Sequence, residues 1–214
     1  MDSVTAGSAD RDRHDRQKRI DWMDMDGIMS SRVLVVGAGA LGNEVMKDLV
    51  LSGFRDITVI DMDDIVLSNL SRCLFFRDSD VRNGMKSEIV AERASQLDPD
   101  VRITPIVGKI QDLQDWDFDI IIGCLDNILA RMHLNASACG LGIPYVDGAT
   151  DGMRGSCRWY FREGRVCSAP PTVLMLRLWR GDSRAPGTHP CSSPIRHPTS
   201  PPPPSSPPWR SGRP

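Results

Sequence analysis

The chain has 214 residues, 40% of them hydrophobic and 25% charged, with a net charge of −2. These proportions suit a soluble globular protein and leave no electrostatic surplus to draw it to nucleic acid or anionic lipid, so neither partner is expected. No apolar run approaches a membrane span, the opening MDSVTAGSADRDRHDRQKR lacks the apolar stretch of a signal peptide, and six cysteines lie without paired spacing. Together these features predict reduced thiols and a cytoplasmic address, with the nucleus as a second one.

Residues 1–21 form a polar arm, and the hydrophobic pattern begins after it. From residue 30 to 161, β-rich apolar runs alternate with amphipathic stretches. That alternation predicts an α/β fold: a doubly wound, mostly parallel, Rossmann-like sheet with helices on both faces. Strands are expected at 32–36, 57–61, 101–107, 120–124 and 143–147, apolar enough to be buried on both sides. Helices are expected at 41–52, 86–97 and 127–140, and the weak alternation of 155–161 predicts a further strand that begins an antiparallel extension.

Gly37-Ala38-Gly39-Ala40-Leu41-Gly42 follows the first strand and opens the first helix. Glycine permits the tight turn and a close backbone approach to phosphate, while the helix start offers free N–H groups and a positive dipole end. Asp61 closes the second strand, where a carboxylate can accept hydrogen bonds from ribose hydroxyls. Taken alone, this fingerprint suits a nicotinamide-dependent oxidoreductase. Beyond it lie Arg72, Lys86 at a helix start, and Asp126 after the fourth strand. In a doubly wound sheet these strand ends share one crevice, so two cations could neutralise phosphate oxygens while Asp126 holds Mg²⁺. That set favours phosphoryl chemistry over hydride transfer.

Composition changes near residue 165. Only Pro99, Pro105 and Pro144 precede that point, and the remaining prolines of the chain's 16 follow it, four of them at 201–204. Residues 165–214 are therefore predicted to be a disordered or polyproline-like tail, interrupted by an apolar patch at 173–179. His14, His133, His189 and His197 have no ligand spacing and read as incidental.

The motifs GAGALG, VIDMDDIVLSNLSR, GMKSE, CLDN and DGATDGMRG resemble those of the ThiF/MoeB superfamily, which adenylates the C-terminal carboxylate of ubiquitin-like proteins. SGFRDITVIDMD, KIQD and CLDNILAR are most similar to catalytic subunits of ubiquitin-like-modifier activating enzymes. The resemblance runs from about Arg16 to Phe161, making residues 22–164 a nucleotide-binding adenylation domain that lacks its later part.

The resemblance implies ATP-dependent adenylation of the terminal glycine of a ubiquitin-like modifier or sulfur-carrier protein, in a homodimer or heterodimer. It places Gly37, Gly39 and Gly42 along the ATP site, Asp61 on the ribose and Asp63 beside the nucleotide. Asn69, Arg72 and Lys86 fall on the phosphates, and Asp126 on Mg²⁺ or the α-phosphate. His14-Asp15-Arg16-Gln17 matches the position of a motif whose arginine is delivered across the dimer interface, which makes Arg16 a trans-acting candidate.

The chain departs from the family in its cysteines. Cys167 stands where a first zinc ligand is expected, yet Pro170 and Pro171 follow in place of its partner, so the zinc site is expected to be absent. Cys191 has no feature that would activate it, and Cys73 replaces the glutamine usual after the SNLxR arginine, a local change and not a nucleophile. A frameshift, intron read-through or alternative transcript would explain the change after residue 164, and a genuine regulatory tail is the alternative. A truncated or non-catalytic subunit that retains the fold therefore stays open beside the active enzyme.

Overall fold

The structure is a computed structural model that describes residues 10–160. The readings of a disordered proline-rich tail, a missing zinc site at Cys167 and an inert Cys191 lie outside the described residues, as do His189 and His197.

A short helix α1 (Met25–Ser30), started by the Asp24 carboxylate accepting from the Gly27 amide, leads into β1 (Arg32–Val36). The chain continues through α2 (Ala40–Ser52), β2 (Asp56–Asp61), α3 (Lys86–Ser95), β3 (Arg102–Val107), β4 (Ile120–Gly123) and α4 (Ile128–Leu141). A hairpin of β5 (Tyr145–Asp151) and β6 (Arg154–Tyr160) closes the described part. The sheet order is β3-β2-β1-β4-β5-β6, with every pairing parallel except β5 with β6.

The alternating side chains of β1 explain why helices cover both faces. Val33 and Val35 pack with Met46 and Val50 of α2 and Val90 of α3, while Leu34 and Val36 pack with Leu134 and Ala138 of α4. Each residue of that apolar run thus finds a buried partner, and the four side chains are essentially inaccessible to water.

Two expectations need correction. β3 is an edge strand, exposed at Arg102, Thr104, Pro105 and Val107, and not buried on both faces. Only Ile103 and Ile106 of that strand join the cores, one on each face, and Pro105 is tolerated because the outer edge needs no ladder donor. β5 starts two residues later than expected and runs four further, because its C-terminal half pairs with β6 from Gly148↔Cys157 to Asp151↔Arg154. The antiparallel extension itself forms as predicted, as residues 154–160.

The polar arm docks on the domain. Arg13 donates to the Leu97 carbonyl at 2.9 Å and pairs with Asp98 at 2.9 Å, and Gln17 donates to the Leu51 carbonyl at 3.3 Å. His14, read as incidental, is 4% exposed, with Nδ1 2.7 Å from Gln17 Oε1 and Nε2 3.7 Å from Asp98. Its burial against Gly53 pins the arm, a packing role that sequence spacing does not reveal.

Candidate nucleotide site

β1 and β4 are neighbours whose following helices lie on opposite faces, so their carboxyl ends part and leave a crevice. A cavity of about 730 Å³ opens there, bounded by the loops after β1, β2, β3, β4 and by the end of β5.

The glycine loop forms its floor. Gly37 takes φ +100°, and a Cβ there would stand 2.7 Å from the Cys124 carbonyl oxygen, so this position needs glycine for both conformation and space. Gly39 lines the cavity, and a Cβ there would meet nothing within 4 Å. It also precedes α2 without any side-chain cap, which leaves the first amides of a 13-residue helix without a capping side chain. Gly42 does not line the cavity, contrary to expectation. It is buried beneath the loop, where a Cβ would come 2.0 Å from the Gly37 carbonyl oxygen, so its part is to let helix and loop pack.

Asn43 is a residue behind the site that the motif reading missed. Fully buried, it donates from Nδ2 to the carbonyls of Ala38 and Gly39 at 2.9 Å each and accepts the Phe75 amide at 2.9 Å. It ties the glycine loop to the long excursion between β2 and α3. A polar side chain one position inside an otherwise apolar helix face is the only local signal for it.

Asp61 accepts the Ala38 amide at 2.7 Å through Oδ2 and the Asp63 amide at 2.9 Å through Oδ1. An ionised carboxylate has about four acceptor sites, so two remain for hydroxyls of a ligand. Lys86, the first residue of α3, is 12% exposed and reaches Asp63 Oδ2 at 2.8 Å. Arg72 donates to the Ser68 carbonyl at 2.6 Å, and Asn69, 6% exposed, accepts the Val66 amide at 3.0 Å. Asn69, Arg72, Lys86 and Asp63 all reach the cavity wall.

On the opposite side, Asn127 caps α4 by accepting the amides of Leu129 and Ala130 at 2.9 and 3.3 Å. Asp126 is thereby spared that task. It is exposed, lines the cavity and forms no hydrogen bond or ion pair among the described residues. Lys109 and Gln111 enter from the loop after β3, and Arg131 from α4; none of these was singled out as a site residue from sequence. The wall thus carries four cations, Arg72, Lys86, Lys109 and Arg131, against the carboxylates of Asp61, Asp63 and Asp126. With Lys86 held by Asp63, this mixture suits an anionic ligand with a polar sugar better than an apolar one.

Arg16 is not at this cavity. Its side chain is 85% exposed and lies 3.7 Å from Asp10, so within one chain it touches none of the other candidates. The thiols are quiet as well: burial raises the Cys73 thiol above its ordinary value and pushes Cys124, on the cavity wall, up to about 12. Neither is poised as a thiolate near neutral pH.

The fold and crevice define a Rossmann-like α/β domain with a glycine loop at the sheet's switch point. Residues 13–179 match the ThiF family, and the chain belongs to that family. It is 40% identical over 137 residues to the NEDD8-activating enzyme E1 catalytic subunit of Schizosaccharomyces pombe, covering 60% of this chain and 31% of that protein. It is 38% identical over 160 residues to the protein of the same name from Caenorhabditis elegans, covering 67% and 37%. The chain thus spans about a third of the length of these curated relatives. Among solved structures, E. coli MccB with AMPCPP and MccA matches with a TM-score of 0.65 at 19% identity, over 82% of this chain and 56% of that one, a likeness of fold. No helix among the described residues is long and apolar enough to cross a membrane.

Proposed function

We propose that this chain carries the adenylation site of an activating enzyme for a ubiquitin-like modifier or sulfur-carrier protein, and that its ligand is Mg-ATP. The observation that carries the reading is the convergence of Asp61, Asn69, Arg72, Lys86 and Asp126 with the Gly37 and Gly39 loop on one cavity. The family match and the names of the relatives support it.

In this reading the α2 amides and the glycine loop bind phosphate, and Asp61 accepts from the ribose while still bracing the loop. Asn69, Arg72 and Lys86 take the phosphate oxygens, Lys86 exchanging its bond to Asp63 for the ligand. Among the described residues no group of three or more acidic, histidine or cysteine side chains could cage a metal. Mg²⁺ is commonly held by one or two carboxylates together with phosphates and water, so Asp126, without a hydrogen bond or ion pair among the described residues, fits the ion. When bound, the ion would neutralise charge on the phosphates.

The reaction joins a C-terminal carboxylate oxygen to the α-phosphorus and breaks the bond to the β-phosphate oxygen, releasing pyrophosphate and leaving an acyl adenylate. No general base is required, because a carboxylate is already ionised at neutral pH. The residues act by positioning the two anions and stabilising charge at phosphorus. Exposed Arg16, absent from the lining of this cavity, would serve a site in a dimer partner, homo- or heterodimeric.

The test is ATP–pyrophosphate exchange by the full chain, with a partner subunit, driven by a modifier ending in Gly-Gly. Exchange that disappears in Asp126→Ala is the expected result. A folded sample without exchange, or one in which Asp126→Ala exchanges normally, overturns the reading.

A further inference from the structure

Arg131 stands in the cavity wall, yet its guanidinium is directed to the protein. It donates through Nη2 to the Gly148 carbonyl, and its Nε faces Asp147 Oδ1 at 3.5 Å as an ion pair without hydrogen-bond geometry. The side chains of Arg131 and Asp147 are 13% and 2% exposed. Asp147 also accepts the Tyr145 hydroxyl at 2.8 Å, and Tyr145 stacks on Tyr160 of β6 with ring centroids 5.5 Å apart. Gly123 makes room for this hydroxyl, since a Cβ there would lie 2.6 Å from it. Burial, with Asp147 beside it, raises the Tyr145 phenol above its ordinary value, which favours the protonated form that donates to Asp147.

A buried carboxylate and guanidinium are costly to hold unless they fix something, because desolvation offsets most of their attraction. Here they join two pieces of the cavity wall. Arg131 lies one turn into α4, whose first turn follows Asp126 and the Asn127 cap; Gly148 starts the wall segment 148–150 at the end of β5. α4 and β5 also meet through the apolar packing of Leu134 and Ala138 with Tyr145, and such packing resists sliding poorly compared with directed bonds.

We propose that Arg131 is a positioning residue for the nucleotide site, holding the Asp126 turn in register with the 148–150 wall so that both face one ligand. The inference rests on the nucleotide reading above. Asp147 and Tyr145 keep the guanidinium aimed, with Nη2 on the Gly148 carbonyl and Nε toward Asp147.

Two measurements on the full chain separate the parts. In the nucleotide-free protein, Arg131→Gln is expected to speed amide exchange at residues 129–130 and 148–150 while leaving β1 and β2 protected. Unchanged exchange at those amides overturns the clamp whether or not nucleotide binds. Calorimetric titration with Mg-ATP then reads the role: Arg131→Gln lowers affinity on the order of tenfold in the unsubstituted background, as loss of a residue that orients a metal ligand typically does. The same change has little further effect in Asp126→Ala, and Arg131→Lys restores part of the loss. Additive losses from Arg131→Gln and Asp126→Ala identify a merely structural residue and overturn the proposal. If the unsubstituted, folded chain does not bind Mg-ATP, the nucleotide reading fails and the positioning role with it, while the exchange data still decide the clamp.

Discussion

Asp61 holds the amide of Ala38 at 2.7 Å, so the acid at the end of β2 closes the turn that follows β1. The same carboxylate accepts from the Asp63 amide. Asp61→Ala therefore removes two charge-assisted bonds as well as the proposed ribose contact. Each such bond contributes about 1.5–3 kcal/mol, and about 1.4 kcal/mol is tenfold in affinity. Mg-ATP affinity is expected to fall at least tenfold, with a lower midpoint in urea unfolding; an unchanged midpoint would show that the loop does not depend on this acid.

Gly42 and Gly39 should separate stability from binding. Gly42→Ala drives a Cβ toward the Gly37 carbonyl, a backbone atom that cannot swing aside, and is expected to cost about 1–3 kcal/mol in urea unfolding. Gly39→Ala meets open space, so stability should stay near that of the parent while the added methyl group obstructs a phosphate. Equal unfolding midpoints for the two variants would contradict this division.

The excursion between β2 and α3 carries Asn69 and Arg72, and its far end is anchored by Asp80 and Arg93. Arg93 Nη1 lies 2.5 Å from Oδ2 and Nη2 2.7 Å from Oδ1, with Asp80 only 7% exposed. Arg93→Ala leaves this carboxylate without its guanidinium partner and is expected to destabilise the fold by about 2–3 kcal/mol, measured by thermal melting.

That pair also sets a pH dependence. The Arg93 guanidinium, outweighing the cost of burial, holds the Asp80 carboxyl below its usual value of 3.8. Its stabilising contribution is therefore complete above that value and is lost as pH falls through the lower, folded-state value. Subtracting the acid unfolding curve of Asp80→Asn from that of the parent should show the difference shrinking below pH 3.8. A difference that stays constant down to lower pH would refute the assignment.

Cysteine labelling offers a chemical test of burial. Cys157 on β6 is exposed, whereas burial raises the thiols of Cys73 and Cys124. Brief iodoacetamide treatment at neutral pH followed by peptide mass spectrometry should find Cys157 modified well before either of the others. Early modification of Cys124 would show that the β4 end opens more readily than its packing implies.

The β1-loop-α2-β2 unit was legible in the sequence because its signals are local. An apolar run, glycines at fixed offsets and an acid at a strand end each report on the few residues around them, and residues 32–36 form the expected strand. Arg72, Lys86 and Asp126 could likewise be named in advance from their places near strand ends, and Asp63 and Asn69 from the family resemblance of the motif that carries them. The antiparallel β6 was readable from its alternation.

What the sequence by itself determined is therefore the strands and helices of the sheet domain from β1 onward, their alternating order and most of the charged side chains that face the crevice. Only the tertiary structure decided the division between Gly39, which faces the cavity, and Gly42, which lies beneath it. It likewise decided the bridge from Asn43 to Phe75, the anchoring of His14, the exposure of β3 and the clamp joining Arg131 to Asp147 and Gly148. The physical reason is common to them: each depends on which strands become neighbours and how closely backbones approach, and hydrophobic periodicity carries neither quantity. Even the loop from Arg32 to Asp61, complete in its motif, owes its shape to a carbonyl of Cys124 in another strand's loop and to a carboxylate that comes beside it only when β1 and β2 pair.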